Sequence, residues 1–266
     1  MYPNIKKSFL SYSIRQVRFG TVSATAILVA ALQIPALGQS RSAEQARDPL
    51  SIEAAFNFID HQVVPIKSGY RFGNTCFAKN STHFEVDEQH GFAKIRGYLY
   101  TNALAAIALT HRGVTEGNSA HLAKAEGILK LYNEFQYTLD SPHPHLAGAF
   151  PNQLIAEDYH ANPGAIKPYM SGVGMQMVRH GNNAWYLTAL SYYTLQTGDR
   201  QFVPVIERLA DYLTGPLAQD LDPQSPKYGA ILFGWGNAAP QQPLTKPKTF
   251  VATEHQTEAF AGLLIV

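Results

Sequence analysis

A long, almost wholly apolar helix followed by a half-polar one, and then the same pair again, constrains this chain more than any other feature. Between residues 92 and 110, Ile95, Tyr98, Leu99, Asn102, Ala103, Ala106 and Leu109 fall on one side, and little elsewhere is polar. Such a pattern predicts a helix buried on most sides. Gly113 and Gly117 predict a turn. Ser119 to Tyr137 then reads as an amphipathic helix, with Leu122, Ala125, Ile128, Leu129, Tyr132 and Phe135 apolar and Lys124 and Lys130 outward. The pair recurs. Residues 182–196 are largely apolar (Ala184, Trp185, Leu187, Leu190, Tyr192), Thr197-Gly198-Asp199 predicts a tight turn, and 201–213 repeats the amphipathic pattern. Asp199 is expected to cap that second outer helix. An earlier helix follows Pro49 and closes at Pro65, and Thr253 to Leu264 opens a third apolar helix.

Long stretches separate these pairs. Residues 140–181 and 216–247 are rich in proline and glycine and show no sustained period. Loops of that length inside a compact domain are commonly functional, and residues 228–235 read as a short β segment. A plain helical bundle would have short loops. A tetratricopeptide-like solenoid repeats every 34 residues, whereas the turns at Gly113 and Gly198 lie 85 residues apart. The expected fold class is therefore all-α: a partial α/α toroid of repeated helical hairpins, with inner and outer helices and long loops carrying short β segments.

The first 38 residues differ from the rest. They hold Lys6, Lys7, Arg15 and Arg18, no acidic residue, and an apolar stretch from Gly20 to Leu32. Ala36-Leu37-Gly38 offers a small-residue cleavage site before Gln39. Residues 1–38 are expected to be a cleavable signal peptide, placing a single domain of residues 39–266 in a secreted, periplasmic or cell-surface location. Tyr12-Ser13-Ile14-Arg15-Gln16 resembles the YSIRK-type signal of Gram-positive surface proteins, with Gln16 departing from its Lys. The apolar run is shorter than the roughly 20 residues that span a bilayer, and no transmembrane segment is expected. Without the leader, 17 basic and 20 acidic residues remain. That mildly acidic balance excludes a strongly basic nucleic-acid-binding domain. Cys76 is the one cysteine, which excludes an intrachain disulfide and a cysteine-rich zinc site. His143-Pro144-His145 lacks an identifiable third ligand, and no metal is expected.

Several short motifs carry a resemblance. Gly181-Asn182-Asn183-Ala184-Trp185, Thr197-Gly198-Asp199, Ala210-Asp211-Tyr212-Leu213, Leu232-Phe233-Gly234-Trp235 and Thr253-Glu254-His255 occur in this order. Together they resemble the six-hairpin, (α/α)6-toroid glycosidase-like superfamily, over about Glu85 to Val266. Tyr100-Thr101-Asn102-Ala103-Leu104 resembles the same group, with Thr101 where an Asp is expected. The resemblance implies a carbohydrate substrate, mostly glycoside hydrolysis, and no cofactor. A monomer is expected. About six helices are clear in the sequence, roughly half of what a closed ring of that type needs, so a truncated member is also an expectation.

Glycosidic cleavage uses two carboxyl groups. Glu254, at a loop-to-helix junction, and Glu258, one turn on and on the same face, are the expected catalytic pair. Thr253 is placed to cap their helix. Two carboxyls so close raise the pKa of one. The substrate-binding candidates are Trp235 in its glycine-rich loop, Asn182, Asn183 and Trp185 at the start of an inner helix, His255, Tyr100 and Asn102. Amides hydrogen-bond sugar hydroxyls, and indole rings pack on pyranose faces. Glu157-Asp158 lies in a long loop and offers a further carboxylate. Three functional readings follow: a secreted glycoside hydrolase, a catalytically inactive carbohydrate-binding relative, and an incomplete structural fragment of such an enzyme.

Overall fold

A computed structural model describes residues 49–66, 75–78, 85–86, 93–156, 166–168, 178–236, 247–248 and 251–266. All belong to one compact unit, Ala46–Val266. The expected leader and the Glu157-Asp158 pair lie outside the described residues.

The described chain is mainly helical. Helix α1 (Pro49–Gln62) leads into a hairpin of β1 (Val63–Ile66) and β2 (Thr75–Ala78). Strands β3 (Glu85–Val86) and β4 (Ala93–Tyr98) precede α2 (Leu99–Glu116) and α3 (Ser119–Asn133). Strands β5 (Gln153–Ala156), β6 (Ile166–Pro168) and β7 (Val178–Arg179) fill the long loop before α4 (His180–Thr197) and α5 (Val203–Thr214). Then come β8 (Gly234–Trp235), β9 (Pro247–Lys248) and α6 (Thr253–Ile265). The small antiparallel sheets run in the orders β1-β2, β3-β4-β5-β6 and β7-β8-β9. The helices form hairpins, α2 with α3 and α4 with α5, and the inner helices α2, α4 and α6 pack side by side.

Turn chemistry explains the hairpins. Gly117 ends α2 in the left-handed region, at φ 65°. The Asn118 N–H reaches back to the Gly113 carbonyl at 2.8 Å. The Asn118 side chain then caps α3, accepting from the N–H groups of Ala120 and His121. Gly113 itself is helical, and a Cβ there would lie 2.6 Å from Leu122 Cγ, so a glycine lets α3 fold closely onto α2. Gly198 ends α4 at φ 74°. Asp199 does not cap α5 directly. It accepts from Gln201 N–H at 2.9 Å, before the helix starts at Val203.

One expectation fails at residues 93–98, which form strand β4 in place of helix, paired with β5 through Tyr98↔Gln153 and its neighbours. A short apolar run does not distinguish helix from strand, and the helical period begins only at Leu99. The short β expected over 228–235 is also smaller: β8 covers Gly234–Trp235, with an isolated bridge between Gln219 and Ile231.

A repeated device holds the inner helices. Each carries an amide side chain at its fourth residue: Asn102, Asn183 and Gln256. Asn102 Oδ1 accepts from Ala78 N–H at 2.8 Å, and its Nδ2 donates to the carbonyls of Ala78 and Tyr98, each at 3.1 Å. Asn183 Oδ1 accepts from Phe150 N–H at 2.8 Å, and its Nδ2 donates to the carbonyls of Phe150 at 3.2 Å and Arg179 at 2.9 Å. Gln256 Oε1 accepts from Ile231 N–H at 2.8 Å, and its Nε2 donates to the carbonyls of Ile231 at 2.7 Å and Ala252 at 3.3 Å. Every clamp satisfies both backbone groups of one distant residue and the carbonyl of the residue before the helix. Tyr98, Arg179 and Ala252, those preceding residues, are all extended.

Apolar packing fills the space between. The ring of Tyr186 lies 4.7 Å from Phe150 and 5.6 Å from Tyr132. Its hydroxyl donates to the Leu129 carbonyl at 2.7 Å, tying α4 to α3. Gly262 sets the approach of α6 to α4, since a Cβ there would sit 2.8 Å from the Ala184 carbonyl oxygen. On its other side α6 exposes Phe260 and Leu264, at 68% and 54%.

Asn183→Ala leaves the Phe150 N–H and carbonyl buried without a partner, and is expected to cost roughly 2–4 kcal/mol of unfolding free energy. Asn118→Ala, which removes one helix cap, is expected to cost about 1 kcal/mol. Urea unfolding of both variants measures the difference; equal losses would remove the clamp's special weight.

Candidate functional site

The clamps align the first turns of α2, α4 and α6, and a cleft of about 360 Å³ opens there. Tyr98, Tyr100, Thr101, Asn152, Arg179, Asn182 and Glu254 line it. The second residue of α2 and of α6 supplies Tyr100 and Glu254. The third residue of α2 and of α4 supplies Thr101 and Asn182. Tyr98 and Arg179 immediately precede their helices. Converging helix N-termini place the positive ends of their dipoles at this end of the hairpins.

Glu254 is exposed in the first turn of α6. The residue preceding the helix is Ala252, and Thr253 makes no side-chain cap. Glu258 lies one turn further and is 7% exposed. Its Oε1 accepts from Trp185 Nε1 at 2.7 Å. Burial pushes the Glu258 carboxyl up to about 7, and the neighbouring Glu254 adds to the shift, while the Trp185 hydrogen bond opposes it. Near neutral pH Glu258 therefore keeps its protonated form accessible, unlike an ordinary carboxyl. Glu258 does not line the cleft; it lies buried beside Glu254. Gly181 makes room for it: a Cβ there would collide with Glu258 Oε2 and His255.

Trp185 sets its indole edge-on to Tyr100, at 6.0 Å and 81°. It joins the exposed cleft tyrosine to the buried carboxyl. The Tyr100 phenol is raised, first by burial and then by Glu258 and Glu254. Asn182 donates to Asn152 Oδ1 and lies half-buried at the cleft edge.

His255 is buried and stacks on Phe233, with ring centroids 4.7 Å apart at 15°. Burial pushes its pKa down, Glu254 opposes and Arg179 adds to the lowering, so the ring is neutral at pH 7. The same Phe233 ring carries the Arg179 guanidinium 5.0 Å from its centroid.

Of the expected ligand residues Tyr100 and Asn182 line the cleft, Trp185 and His255 do not, and three more are placed elsewhere. Asn102 and Asn183 are fully buried, and their amides are committed to backbone. Trp235, 6% exposed, lies in β8 with its ring 4.7 Å from His145. Its glycine neighbours serve strand pairing, since Gly234 at φ 134° has no room for a Cβ beside Val178. Arg179, Asn152 and Tyr98 were not singled out by sequence. The signal for two of them is position: each stands four residues before a clamping asparagine.

A larger cavity of about 620 Å³ shares no lining residue with this cleft. Tyr137, Leu139, Asp140, Arg208, Asp211 and Tyr212 are among its walls. Behind it His180 is buried, its Nδ1 facing the Leu232 carbonyl at 2.7 Å and its Nε2 the Tyr212 hydroxyl at 2.9 Å. Burial lowers its pKa to about 4, so the ring is neutral and structural. Among the described residues no group of three or more His, Cys, Asp or Glu side chains is placed to hold a metal ion.

The raised Glu258 pKa gives a signed expectation. The folded chain binds this proton more tightly than the unfolded chain, whose carboxyl titrates near 4.5. The stabilisation from the protonated carboxyl is thus full below about 4.5 and is lost as pH rises through about 7. Wild type is expected to lose on the order of 2 kcal/mol relative to Glu258→Gln between pH 4.5 and 8. Urea unfolding across that range checks this; a pH-independent difference would overturn it.

No protein-family model matches the sequence, and no curated protein matches it. Among solved structures, a GH76 α-mannanase of Bacteroides thetaiotaomicron is similar, with a TM-score of 0.50 and 14% sequence identity. The match covers 81% of this chain and 53% of that one, so this chain spans about half that enzyme's length. At this identity the likeness is one of fold: the helical-hairpin arrangement described above is shared with that enzyme.

Proposed function

We propose that the cleft binds a carbohydrate and that Glu254 performs acid–base chemistry on a glycosidic bond, with Glu258 as its proton partner. The observation that carries this reading is the carboxyl pair itself. Glu254 lines the cleft, while Glu258 stands behind it, buried, bound by Trp185 and titrating near 7. Two carboxyls in unlike environments are how a site keeps one proton available at neutral pH. Tyr100, Asn182 and Asn152 supply the hydrogen-bonding edges a sugar needs, and the Tyr100 ring offers a face for a pyranose. The fold likeness lends support without fixing chemistry.

On this reading Glu254 touches the glycosidic oxygen or the attacking water, and Glu258 tunes the proton it uses. Hydrolysis by such a pair needs no cofactor. The reading further has the chain exported by residues 1–38 and acting as a monomer.

A second reading, sugar binding without turnover, has its own observation. Among the described cleft-lining residues, Glu254 is the one carboxylate, and Thr101 stands where the resemblance expects Asp. Turnover assays on a panel of oligosaccharides separate the two. Glu254→Gln is expected to lower kcat by roughly 10²–10⁴-fold with KM changed little. Glu258→Gln is expected to keep partial activity and lose the limb of the pH profile near 7. Binding without turnover in wild type would establish the second reading, and full activity in Glu254→Gln would remove Glu254 from the chemistry.

A further inference from the structure

Among the described residues that line the cleft Arg179 is the one cation, and its surroundings are unusual for a surface arginine. Its Nε is buried and has no hydrogen-bond partner. None of the ion pairs among the described residues involves it. Its guanidinium is held 5.0 Å over Phe233, and Phe233 is in turn fixed by its stack on His255. A cation over an aromatic face is ordered without being neutralised. The neighbouring His255 is neutral, so it neither screens nor shares the charge. Arg179 also directly precedes α4, where the helix dipole adds positive potential.

A desolvated donor without a partner calls for an explanation in a native structure. Here the guanidinium lines the same cleft as Glu254, Asn152 and Asn182. A planar fork of N–H groups, pre-ordered and with no ion-pair partner among the described residues, matches a carboxylate in two-point contact. A neutral hydroxyl answers one N–H and leaves the charge uncompensated. Glu254 repels an anion on its own side of the cleft, which orients an acidic sugar with its carboxylate toward Arg179.

We infer that Arg179 selects a carboxylate-bearing sugar, a hexuronic acid residue, for this cleft. The inference rests on the carbohydrate reading above and deepens it by naming the substrate class. Arg179 recognises the sugar carboxylate, and the reacting bond lies toward Glu254.

The test compares hexuronate oligosaccharides with neutral hexose oligosaccharides of matched length, on an immobilised panel and by titration calorimetry at low and moderate salt. Wild type is expected to bind the acidic class roughly ten- to a hundred-fold more tightly, with the preference falling as salt rises. Arg179→Gln is expected to abolish that preference, lowering acidic-sugar affinity roughly ten- to a hundred-fold and neutral-sugar affinity by clearly less. Arg179→Lys, which keeps the charge but loses the fork, is expected to recover part of it. Thermal unfolding of each variant shows that it is folded. Equal binding of both classes by wild type, or an equal loss of both in Arg179→Gln, would overturn the inference and leave the carbohydrate reading standing. Binding of neither class by folded wild type would overturn the carbohydrate reading itself.

Discussion

Three amide side chains carry the architecture. Asn102, Asn183 and Gln256 each bridge both backbone groups of a residue 24, 33 or 25 positions earlier in the chain. A buried N–H or carbonyl needs a partner, and the backbone groups of Ala78, Phe150 and Ile231 that meet the inner helices find theirs in these amides. The amide supplies what a neighbouring strand would have supplied. Its third contact, to the carbonyl of the residue before the helix, ties the same side chain to the start of its own helix. Each clamp therefore fixes where an inner helix begins relative to the segment crossing it.

The cleft follows from that alignment. With the three helices started in the same way, their second and third residues meet. Tyr100, Thr101, Asn182 and Glu254 converge although they are spread over more than 150 residues of sequence. The electrostatic character has the same origin. Helix N-termini bring positive potential, Arg179 adds a cation ordered by Phe233, and Glu254 with the buried, raised-pKa Glu258 supplies the acidic side. Close packing keeps the carboxyls there: Gly181 and Gly262 let α6 lie against α4, so that Glu258 reaches the Trp185 indole.

Much of this was legible and some was not, for identifiable reasons. The apolar period over Leu99 to Leu109, and its return over Ala184 to Leu190, follow directly from burial on most sides of a helix. Gly117 and Gly198 mark real left-handed caps. The few apolar residues of 93–98 fit a helical or a strand period equally, and the strand 153–156 that decides between them lies some sixty residues away. Glu254 and Glu258 were readable as a pair because four residues make one helical turn. The glycine-rich flank of Trp235 suggests an open loop, but Gly234 lets β8 approach β7 and the indole is buried.

The sequence by itself determined the order of helices, the hairpin turns and the spacing of the two glutamates, because these depend on residues near one another in the chain. The tertiary structure alone decided which polar residues face the cleft. Asn182 and Asn183 are adjacent and chemically identical, yet one edges the cleft and the other clamps Phe150. Successive residues on a helix point about 100° apart, and the partner that claims Asn183 comes from a distant loop. Arg179 likewise gains its role from Phe233, which no local pattern brings beside it.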